Sequence, residues 1–274
     1  LVTYLYFYTP NIQDVVTGTQ SNFETSGGFG PNQVSTILGL GIFIFFVQLM
    51  LNSTNGILQI INGGLVLFFA YRGLITFSRG GIYTGVAMIL LLLAILYFQA
   101  NFQTKPKIAG IIVLSFLATL AVWSYSSIKT NGLLDKRYAN QDAAGREKKS
   151  QLSGREILIE SELKMFYENP ILGVGVGKNK ELRKSQTGID LATHNEITRM
   201  LAEHGTLGIV GLLILVITPL YLFLVDRQNI LALSFFVFWL LTINHAAMRL
   251  SAPAFIYALS LLKVYREAPV VHRK

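Results

Sequence analysis

Residues 81–98 read GIYTGVAMILLLLAILYF, eighteen consecutive residues without a charged side chain. A stretch of this length and polarity is typical of a helix that crosses a lipid bilayer, which needs about 20 mostly apolar residues. Similar apolar stretches, each bounded by polar residues, lie at 34–51, 57–76, 108–127, 206–225, 230–248 and 252–265. The sequence therefore predicts an all-α polytopic membrane protein.

The charged side chains are concentrated in one part of the chain. Only 14% of the 274 residues are charged, whereas ordinary soluble domains have about 25%. Of the 38 charged side chains, 24 lie within 128–205. This excludes a disordered or simple cytosolic protein and predicts membrane helices that carry one polar loop. We expect N-terminal membrane helices at 1–127, the loop at 128–205, and C-terminal membrane helices with a cytoplasmic tail at 206–274.

The chain begins LVTYLYFYTP, without Met and without the basic region of a signal peptide. This start resembles the end of a membrane helix, so we expect the sequence to be a C-terminal fragment. Because the chain has no Cys, disulfides and thiolate sites are excluded. Its net charge of +8 favours anionic partners such as phospholipid or pyrophosphate. Nucleic acid is not an expected partner of a chain that lies mostly in lipid.

Lys and Arg residues in the short connections predict the orientation of the spans. If 99–107, 226–229 and the tail are cytoplasmic, they hold seven basic residues, whereas the opposite short segments hold only Arg72, Arg79 and Arg249. The 10–33 segment, the 78–81 turn and the long loop then share the outer face. We expect that face to be the working face.

The long loop has a helical pattern of its own. Residues 153–156, SGRE, fit the capping box of a helix start. Ile159, Leu163 and Phe166 follow at helical spacing, which predicts that this face is packed. Pro170 is expected to end the helix.

The glycine-rich segment GVGVG at 173–177 is predicted to be a structural turn. It does not fit a Walker A motif, because Leu172 replaces the first Gly and Asn179 follows Lys178. The dinucleotide fingerprint G-x-G-x-x-G fails as well, because the spacing is G-x-G-x-G. A second short helix is expected over 195–204, followed by Gly205 as the residue that ends it before the next span.

Polar residues of the 194–203 segment are the first candidates for a site. A lone His more often makes structural hydrogen bonds, but a neutral imidazole before a helix on the outer face also suits a general base. His194 is that candidate. Asn195 is next to it, and Arg199 is close enough along the chain to lie nearby.

Arginines supply the second set of candidates, because the planar guanidinium grips phosphate oxygens. Arg79 lies in an SRGG turn, whose glycine pair allows backbone or ligand to approach closely. Arg72 and Arg79 share one helix face if the helix continues through Ser78. The alternative for both residues is that the side chain snorkels to the lipid headgroups. Arg155 lies in the first turn of the loop helix, where the helix dipole disfavours a positive charge. Its presence there indicates an anion outside the protein.

Two further ionisable residues lie near the outer end of the 230–248 span. His245 and Arg249 are four residues apart, and such groups in a span are either functional or interfacial anchors. The sequence contains no H-E-x-x-H motif and no cluster of carboxylates, and its four His residues are scattered. We therefore predict neither a metal site nor a cofactor.

Four segments together carry a family resemblance. Residues 153–177 read SGREILIESELKMFYENPILGVGVG, an Arg-led helix followed by N-P-x-x-G-x-G, and His194-Asn195 precedes Gly205 and Gly208 in the pattern H-[NSQ]-x9-G-x2-G. Residues 76–81 read TFSRGG, and 27–35 read GGFGPNQVS. With the spans, these motifs resemble the O-antigen ligase and polymerase superfamily of bacterial membrane glycosyltransferases over nearly the whole chain.

The resemblance implies a GT-C-like helical bundle in the bacterial inner membrane, with a large helical periplasmic loop. Its ligases transfer a glycan, without a metal, from undecaprenyl pyrophosphate to an acceptor hydroxyl such as that of the lipid A core. Polymerases of the same family extend another lipid-linked glycan, and further relatives glycosylate protein. All three activities remain open, and Ile159 stands where ligase loops often have Leu.

On this interpretation Arg79 and Arg155 bind the pyrophosphate, assisted by Arg72 or Arg249, and His194 deprotonates or orients the acceptor hydroxyl. The remaining candidates for contact with the pyrophosphate or the acceptor are Asn195, Arg199 and His245. A lipid-linked glycan transporter or flippase and a non-catalytic membrane scaffold are alternatives of other classes. A transporter favours charged or broken helices near the bilayer midplane, whereas these charges lie at the rim and in the loop.

Overall fold

The computed structural model describes residues 7–8, 11–148, 155–191, 193–226, 228–245 and 250–264. Within these ranges the chain is helical, and the only β contact is an isolated bridge between Gln141 and Glu147. The fold is thus an all-α polytopic membrane protein, as predicted. The helices of the described residues are α1 (Ile12–Val15), α2 (Pro31–Val47), α3 (Gly56–Leu74), α4 (Arg79–Gln99), α5 (Lys105–Lys129), α6 (Leu133–Tyr138), α7 (Glu156–Glu168), α8 (Lys178–Thr187), α9 (Glu196–Val225), α10 (Ala232–His245) and α11 (Ala252–Ser260).

Five helices in the described part of the chain are long and apolar enough to cross a membrane. They are α3, α4, α5, α9, and α2 together with a π-helical turn that extends it to Asn52. These confirm the predicted spans at 34–51, 57–76, 81–98, 108–127 and 206–225. We call the side on which the 130–195 segment lies the loop side of the membrane.

The last two predicted spans are shorter than expected. Helix α10 has 14 residues and ends at His245, just before 246–249, which lie outside the described residues. Helix α11 has nine residues, and because a helix rises about 1.5 Å per residue it covers only about 14 Å. The prediction of a span at 252–265 is therefore wrong. The expected membrane stub at 1–9 falls largely outside the described residues.

Helices α2 and α4 form the centre of the bundle and touch through their backbones. A Cβ added to Gly39 would overlap the carbonyl of Gly81, and one added to Gly81 would overlap the carbonyl carbon of Ser35. Small residues at such crossings are typical of membrane helices, whose association depends on close packing. On either side the apolar cores are closed by side chains of α3, α10 and α11.

The two spans that flank the loop are peripheral. Only 6% of the apolar window of α5 and 11% of that of α9 are buried, compared with 50% for α2. Their apolar side chains therefore face outward along most of their length. The loop is thus connected to the membrane through two weakly packed helices, and its position depends on other contacts.

The predicted loop helix is confirmed as α7, although its proposed capping residues Ser153 and Gly154 lie outside the described residues. Its buried face differs from the prediction. The buried side chains are Leu158, Ser161, Glu162 and Met165, whereas Ile159, Leu163 and Phe166 are half-buried. The reason is that Glu162 has polar partners in the interior, described below. The buried face of the helix is therefore offset by about one residue from the face that its apolar residues form.

Helix α9 contains a sharp bend at Gly205, which has a φ of 60° and a ψ of −137°. This backbone conformation strongly favours glycine. A Cβ at this position would also come within 2.6 Å of the carbonyl oxygens of Pro170 and Ile171. The predicted division into a short 195–204 helix and a 206–225 span is therefore confirmed.

Candidate active site

The T-F-S-R-G-G segment forms a rigid turn at the loop-side ends of the spans. Helix α3 ends at Leu74 and α4 begins at Arg79, so the helix does not continue through Ser78, and Arg72 and Arg79 do not share a helix face. Buried Phe77 has a φ of 58°, which is uncommon for a bulky residue. Its carbonyl accepts a hydrogen bond of 2.9 Å from Nε of Arg137. Arg137 thus holds the turn that positions Arg79.

The glycine pair of this turn makes room for other parts of the protein. A Cβ on Gly80 would overlap the imidazole of His245, and Gly81 lies against the backbone of α2. The hydroxyl of Ser35 donates to the Ser78 carbonyl over 2.8 Å, which fixes α2 to the turn. The close approach predicted for this pair is therefore made by backbone and by a histidine ring.

His245 connects several elements at this position. Its Nδ1 lies 2.8 Å from the Leu241 carbonyl, so this nitrogen carries a hydrogen. Its Nε2 lies 3.1 Å from Oγ1 of Thr36 on α2. Its backbone carbonyl accepts a hydrogen bond of 3.2 Å from Nη1 of Arg155. The structure thus brings His245, Arg155 and the Arg79–Gly80 turn together, although these residues are far apart in sequence.

Three arginines interact electrostatically at this junction. The pKa of Arg137 is lowered to about 10, first by burial and then by the positive charges of Arg79 and Arg155. Arg137 is only 8% exposed. Burial also lowers the pKa of the Lys148 amine, with further contributions from Arg137 and Arg79. We call Arg79, Arg137, Arg155 and Lys148 the basic cluster, and its positive charges would attract an anion.

A polar cleft opens beside the basic cluster. It has a volume of about 380 Å³ and is lined by 17–20, Asp142, Ala143 and Lys148, which is within the range of roughly 300–1,000 Å³ of small-molecule sites. Lys148 Nζ donates to the Thr19 carbonyl over 3.3 Å. Nη2 of Arg137 lies 3.5 Å from the hydroxyl of Ser21, the residue after the cleft wall. The cleft and the cluster are therefore contiguous.

The His194 segment forms the start of α9. The side chain of Asn195 caps this helix, because its Oδ1 accepts hydrogen bonds from the backbone N–H groups of Ile197, at 2.9 Å, and Thr198, at 3.3 Å. His194 directly precedes this cap and is half-buried. The Asn195 side-chain oxygen thus has a structural role in addition to the substrate contact predicted for the residue.

The two glycine motifs of the loop form one structural unit. The carbonyls of Ala202 and Glu203 lie just before the bend at Gly205. They accept hydrogen bonds of 2.8 Å from the Val174 N–H and 3.1 Å from the Gly175 N–H. Gly173, with a φ of 68°, lies so close that a Cβ there would overlap the Glu203 backbone. The prediction of a structural turn at 173–177 is confirmed, and this contact explains why both motifs occur together.

A buried ion pair connects the three loop helices. Glu162 of α7 and Arg183 of α8 are fully buried, and Oε1 of Glu162 lies 3.1 Å from Nη1 of Arg183. The carboxylate also accepts hydrogen bonds from Asn179 Nδ2 at 3.2 Å and from Thr198 Oγ1 at 2.5 Å. Burial raises the pKa of Glu162, while hydrogen bonds from Thr198 and Thr193 and the charge of Arg183 oppose the rise. This network holds the loop helices in a fixed arrangement.

The same contacts show that α7 and the start of α9 run in the same direction. Glu162 meets Thr198, and eight residues later in both segments the Pro170 carbonyl meets the Thr206 N–H over 2.8 Å. Arg155 and His194, which lie before these contacts, are therefore at the same end of the helix pair. Two of the three residues predicted to be catalytic thus lie at one end of the loop, and the third, Arg79, lies in the 76–81 turn.

The other predicted site residues are placed differently. Nη2 of Arg72 donates to the Thr25 carbonyl over 3.2 Å, and its side chain is buried, so it supports the 22–29 segment. Arg199 lies 2.6 Å from a carboxylate oxygen of Glu196 and 3.8 Å from one of Glu203. These carboxylates offset its charge, which weakens the case for pyrophosphate binding. Arg249 lies outside the described residues.

No three His, Asp or Glu side chains in the described ranges are grouped so that they could hold a metal ion. The expectation of a metal-independent site stays a prediction.

A family model for O-antigen ligase matches residues 63–216 of the chain. No curated protein and no solved structure matches the sequence significantly.

Proposed function

Because the chain belongs to the O-antigen ligase family, we propose that it transfers a glycan from undecaprenyl pyrophosphate to an acceptor hydroxyl at the outer face of the bacterial inner membrane. Family membership supports a membrane glycosyltransferase of the ligase or polymerase type in general. The observation that carries the finer proposal is the basic cluster at the loop-side ends of α4 and α10, beside a polar cleft.

The basic cluster suits the leaving group of this reaction. As the bond between the sugar and the pyrophosphate breaks, negative charge develops on the phosphate oxygens, and positioned guanidinium groups stabilise it. Arg79 and Arg155 would contact the pyrophosphate. Arg137 is a positioning residue, because it bonds to the Phe77 carbonyl and supports the turn that presents Arg79.

His194 would act on the acceptor. In the proposed step its imidazole accepts the proton of the acceptor hydroxyl, whose oxygen forms the new bond to the anomeric carbon while the undecaprenyl pyrophosphate leaves. The position of His194 at the same end of the helix pair as Arg155 supports this role. The polar cleft would accommodate sugar units, and the lipid A core is the acceptor that a ligase would use.

Reconstitution of the protein with a lipid-linked glycan and a candidate acceptor tests the proposal. We expect new acceptor–glycan product from the wild type and a decrease of about 10²–10³ in rate for Arg155→Ala, as for the loss of one oxyanion donor. Lys164→Ala is the matched control, since Lys164 lies on the same helix with 64% of its side chain exposed. Movement of unmodified lipid-glycan across the bilayer without product would instead support a flippase.

The role of His194 has a separate test. We expect His194→Ala to lose transfer while the protein still inserts in the membrane and binds the donor, because the arginines are retained. Transfer at the wild-type rate by a well-expressed His194→Ala protein would exclude it as the base. If product forms on a second lipid-linked glycan and not on the lipid A core, the protein is a polymerase.

A further inference from the structure

The turn after α7 is attached to the point where α9 enters the membrane. The Thr206 N–H donates to the Pro170 carbonyl over 2.8 Å. The Thr206 hydroxyl donates to the Ile171 carbonyl over 3.0 Å. These two bonds use backbone oxygens of the turn, so they set its position without involving its side chains.

Thr206 marks the edge of the hydrocarbon on the loop side. The stretch 206–225 has twenty residues and no charged side chain, and at about 1.5 Å per residue it spans about 30 Å, the thickness of the bilayer core. The nearest charged residues are Glu203, three positions before the stretch, and Asp226, directly after it. The backbone of Ile171 therefore lies within a few ångströms of the membrane boundary.

The side chains of this turn are apolar and point away from the protein. Ile171 is 70% exposed, Leu172 is 69% exposed, and Tyr167 on the last turn of α7 is 74% exposed. Leu207, the second residue of the 206–225 stretch, is 63% exposed in the same region. Soluble surfaces seldom carry adjacent, strongly exposed Ile and Leu without a partner.

We infer that Ile171 and Leu172 insert into the hydrocarbon of the leaflet on the loop side, with the Tyr167 ring at headgroup level, where Tyr is enriched. Helix α7 is then attached to the membrane region at both ends. At its start Arg155 binds the carbonyl of His245 on α10, and at its end the turn enters lipid. This anchoring would fix the height of the loop above the bilayer even though α5 and α9 pack weakly.

The absence of Cys from the chain allows a direct measurement. Single Leu172→Cys and Ile171→Cys proteins are labelled with a nitroxide and reconstituted in vesicles of phosphatidylethanolamine and phosphatidylglycerol. Collisions with oxygen, which concentrates in lipid, are compared with collisions with a water-soluble nickel chelate. Leu207→Cys is the membrane reference, and Gln186→Cys, exposed on the polar helix α8, is the water reference.

We expect the labels at 171 and 172 to collide mainly with oxygen, as at 207, and the label at 186 to collide mainly with nickel. Nickel-dominated collisions at 171 and 172 would overturn the inference. Protection of both labels from both reagents would also overturn it, because it would mean that another protein surface, such as a second copy, covers the turn.

A second variant separates insertion from a local effect of the label. In the Leu172→Cys protein, the additional change Ile171→Asp places a charge in the turn without removing either backbone bond to Thr206. We expect the label to shift from oxygen-dominated to nickel-dominated collisions, because the charge opposes burial in hydrocarbon. Ile171→Val is the matched control and should leave the collision ratio unchanged. An unchanged ratio in the Ile171→Asp protein would contradict the inference.

Discussion

The two halves of the candidate site are held in place by different interactions. The rim half consists of the 76–81 turn with α2 and α10, and it is held by contact between backbones at glycines. The loop half consists of α7, α8 and 193–208. It has close glycine contacts as well, at Gly173 and Gly205, but it is also organised around the buried Glu162–Arg183 pair. The hydrogen bond from Arg155 to the His245 carbonyl joins the halves. A reaction that uses Arg79 and Arg155 together depends on both kinds of packing.

The buried ion pair is what distinguishes the loop half, so a change of charge there should destabilise that half and leave the rim half folded. Backbone contact at glycines leaves no room for a methyl group, so the rim half should be sensitive to the smallest increase in volume. A buried ion pair is costly when one partner is lost, so the loop half should be sensitive to changes of charge.

Gly81→Ala should have the largest effect, because its methyl group would overlap the Ser35 backbone and push α2 away from α4. We expect the loss of most folded protein, since backbone cannot move aside as a side chain can. Membrane yield and the thermal transition in detergent measure this loss. The control is Gly63→Ala, where no atom lies within 4 Å of the new methyl group. Equal stability of the two variants would contradict the backbone-contact description.

Glu162→Gln should destabilise the loop half by about 3–5 kcal/mol, because it leaves the buried charge of Arg183 without its carboxylate. Hydrogen exchange should accelerate in 155–191 and 193–205 while α2 and α4 remain protected. Glu168→Gln is the control, because its pair with Lys164 is exposed and 3.8 Å long, and such pairs contribute about 0–1 kcal/mol. Faster exchange in α2 and α4 as well would show that the halves are not separate.

Arg79→Ala should lower kcat by about 10²–10³ with little loss of stability, because it removes one positively charged hydrogen-bond donor from the proposed pyrophosphate site. Arg79→Lys should retain part of the rate, since it keeps the positive charge and loses the planar fork. Kinetics with reconstituted protein and a thermal melt measure the two effects. A wild-type kcat in a folded Arg79→Ala protein would remove Arg79 from the mechanism.

Arg137→Lys should lower kcat by about tenfold, equivalent to about 1.4 kcal/mol, by weakening the hydrogen bond to the Phe77 carbonyl while retaining the charge. The expected signature is a change in kcat with KM preserved, because Arg137 positions the turn and need not touch substrate. A change in KM alone would indicate direct substrate contact instead.

Gln20→Ala should have the smallest effect, a rise of a few-fold in KM with kcat unchanged, because it removes one polar group from the cleft wall. Gln13→Ala, on α1 outside the cleft, is the control. If KM does not change for Gln20→Ala, the cleft does not contribute to sugar binding through this residue.

Sequence patterns predicted those parts of the structure that depend on local chemistry. The apolar spans and the bend at Gly205 each arise from a property of a short segment: hydrophobicity in the spans, and freedom to adopt positive φ at Gly205. The same holds for the end of α7 near Pro170.

Features that depend on distant partners were not predictable in this way. Arg137 stands in a DKRY segment that is typical of a solvated surface, yet its partner Phe77 lies sixty residues away. The buried face of α7 departs from its apolar pattern because Glu162 pairs with Arg183 and Thr198. Arg199 was a candidate for an anion site by its chemistry alone, and its two carboxylate neighbours became evident only in the folded helix.

The interlocked glycine motifs have a consequence for protein engineering. The nine residues between Asn195 and Gly205 bring the Ala202 and Glu203 carbonyls to the N–H groups of Val174 and Gly175. The length of this segment therefore determines whether the two hydrogen bonds can form. One inserted residue would rotate that register by about 100° and lose both contacts. A chimera between family members should therefore exchange 155–191 and 193–208 together. The junctions of such a chimera should lie outside these limits. The backbone of α10 at His245 should keep its position, because its carbonyl accepts the hydrogen bond from Arg155.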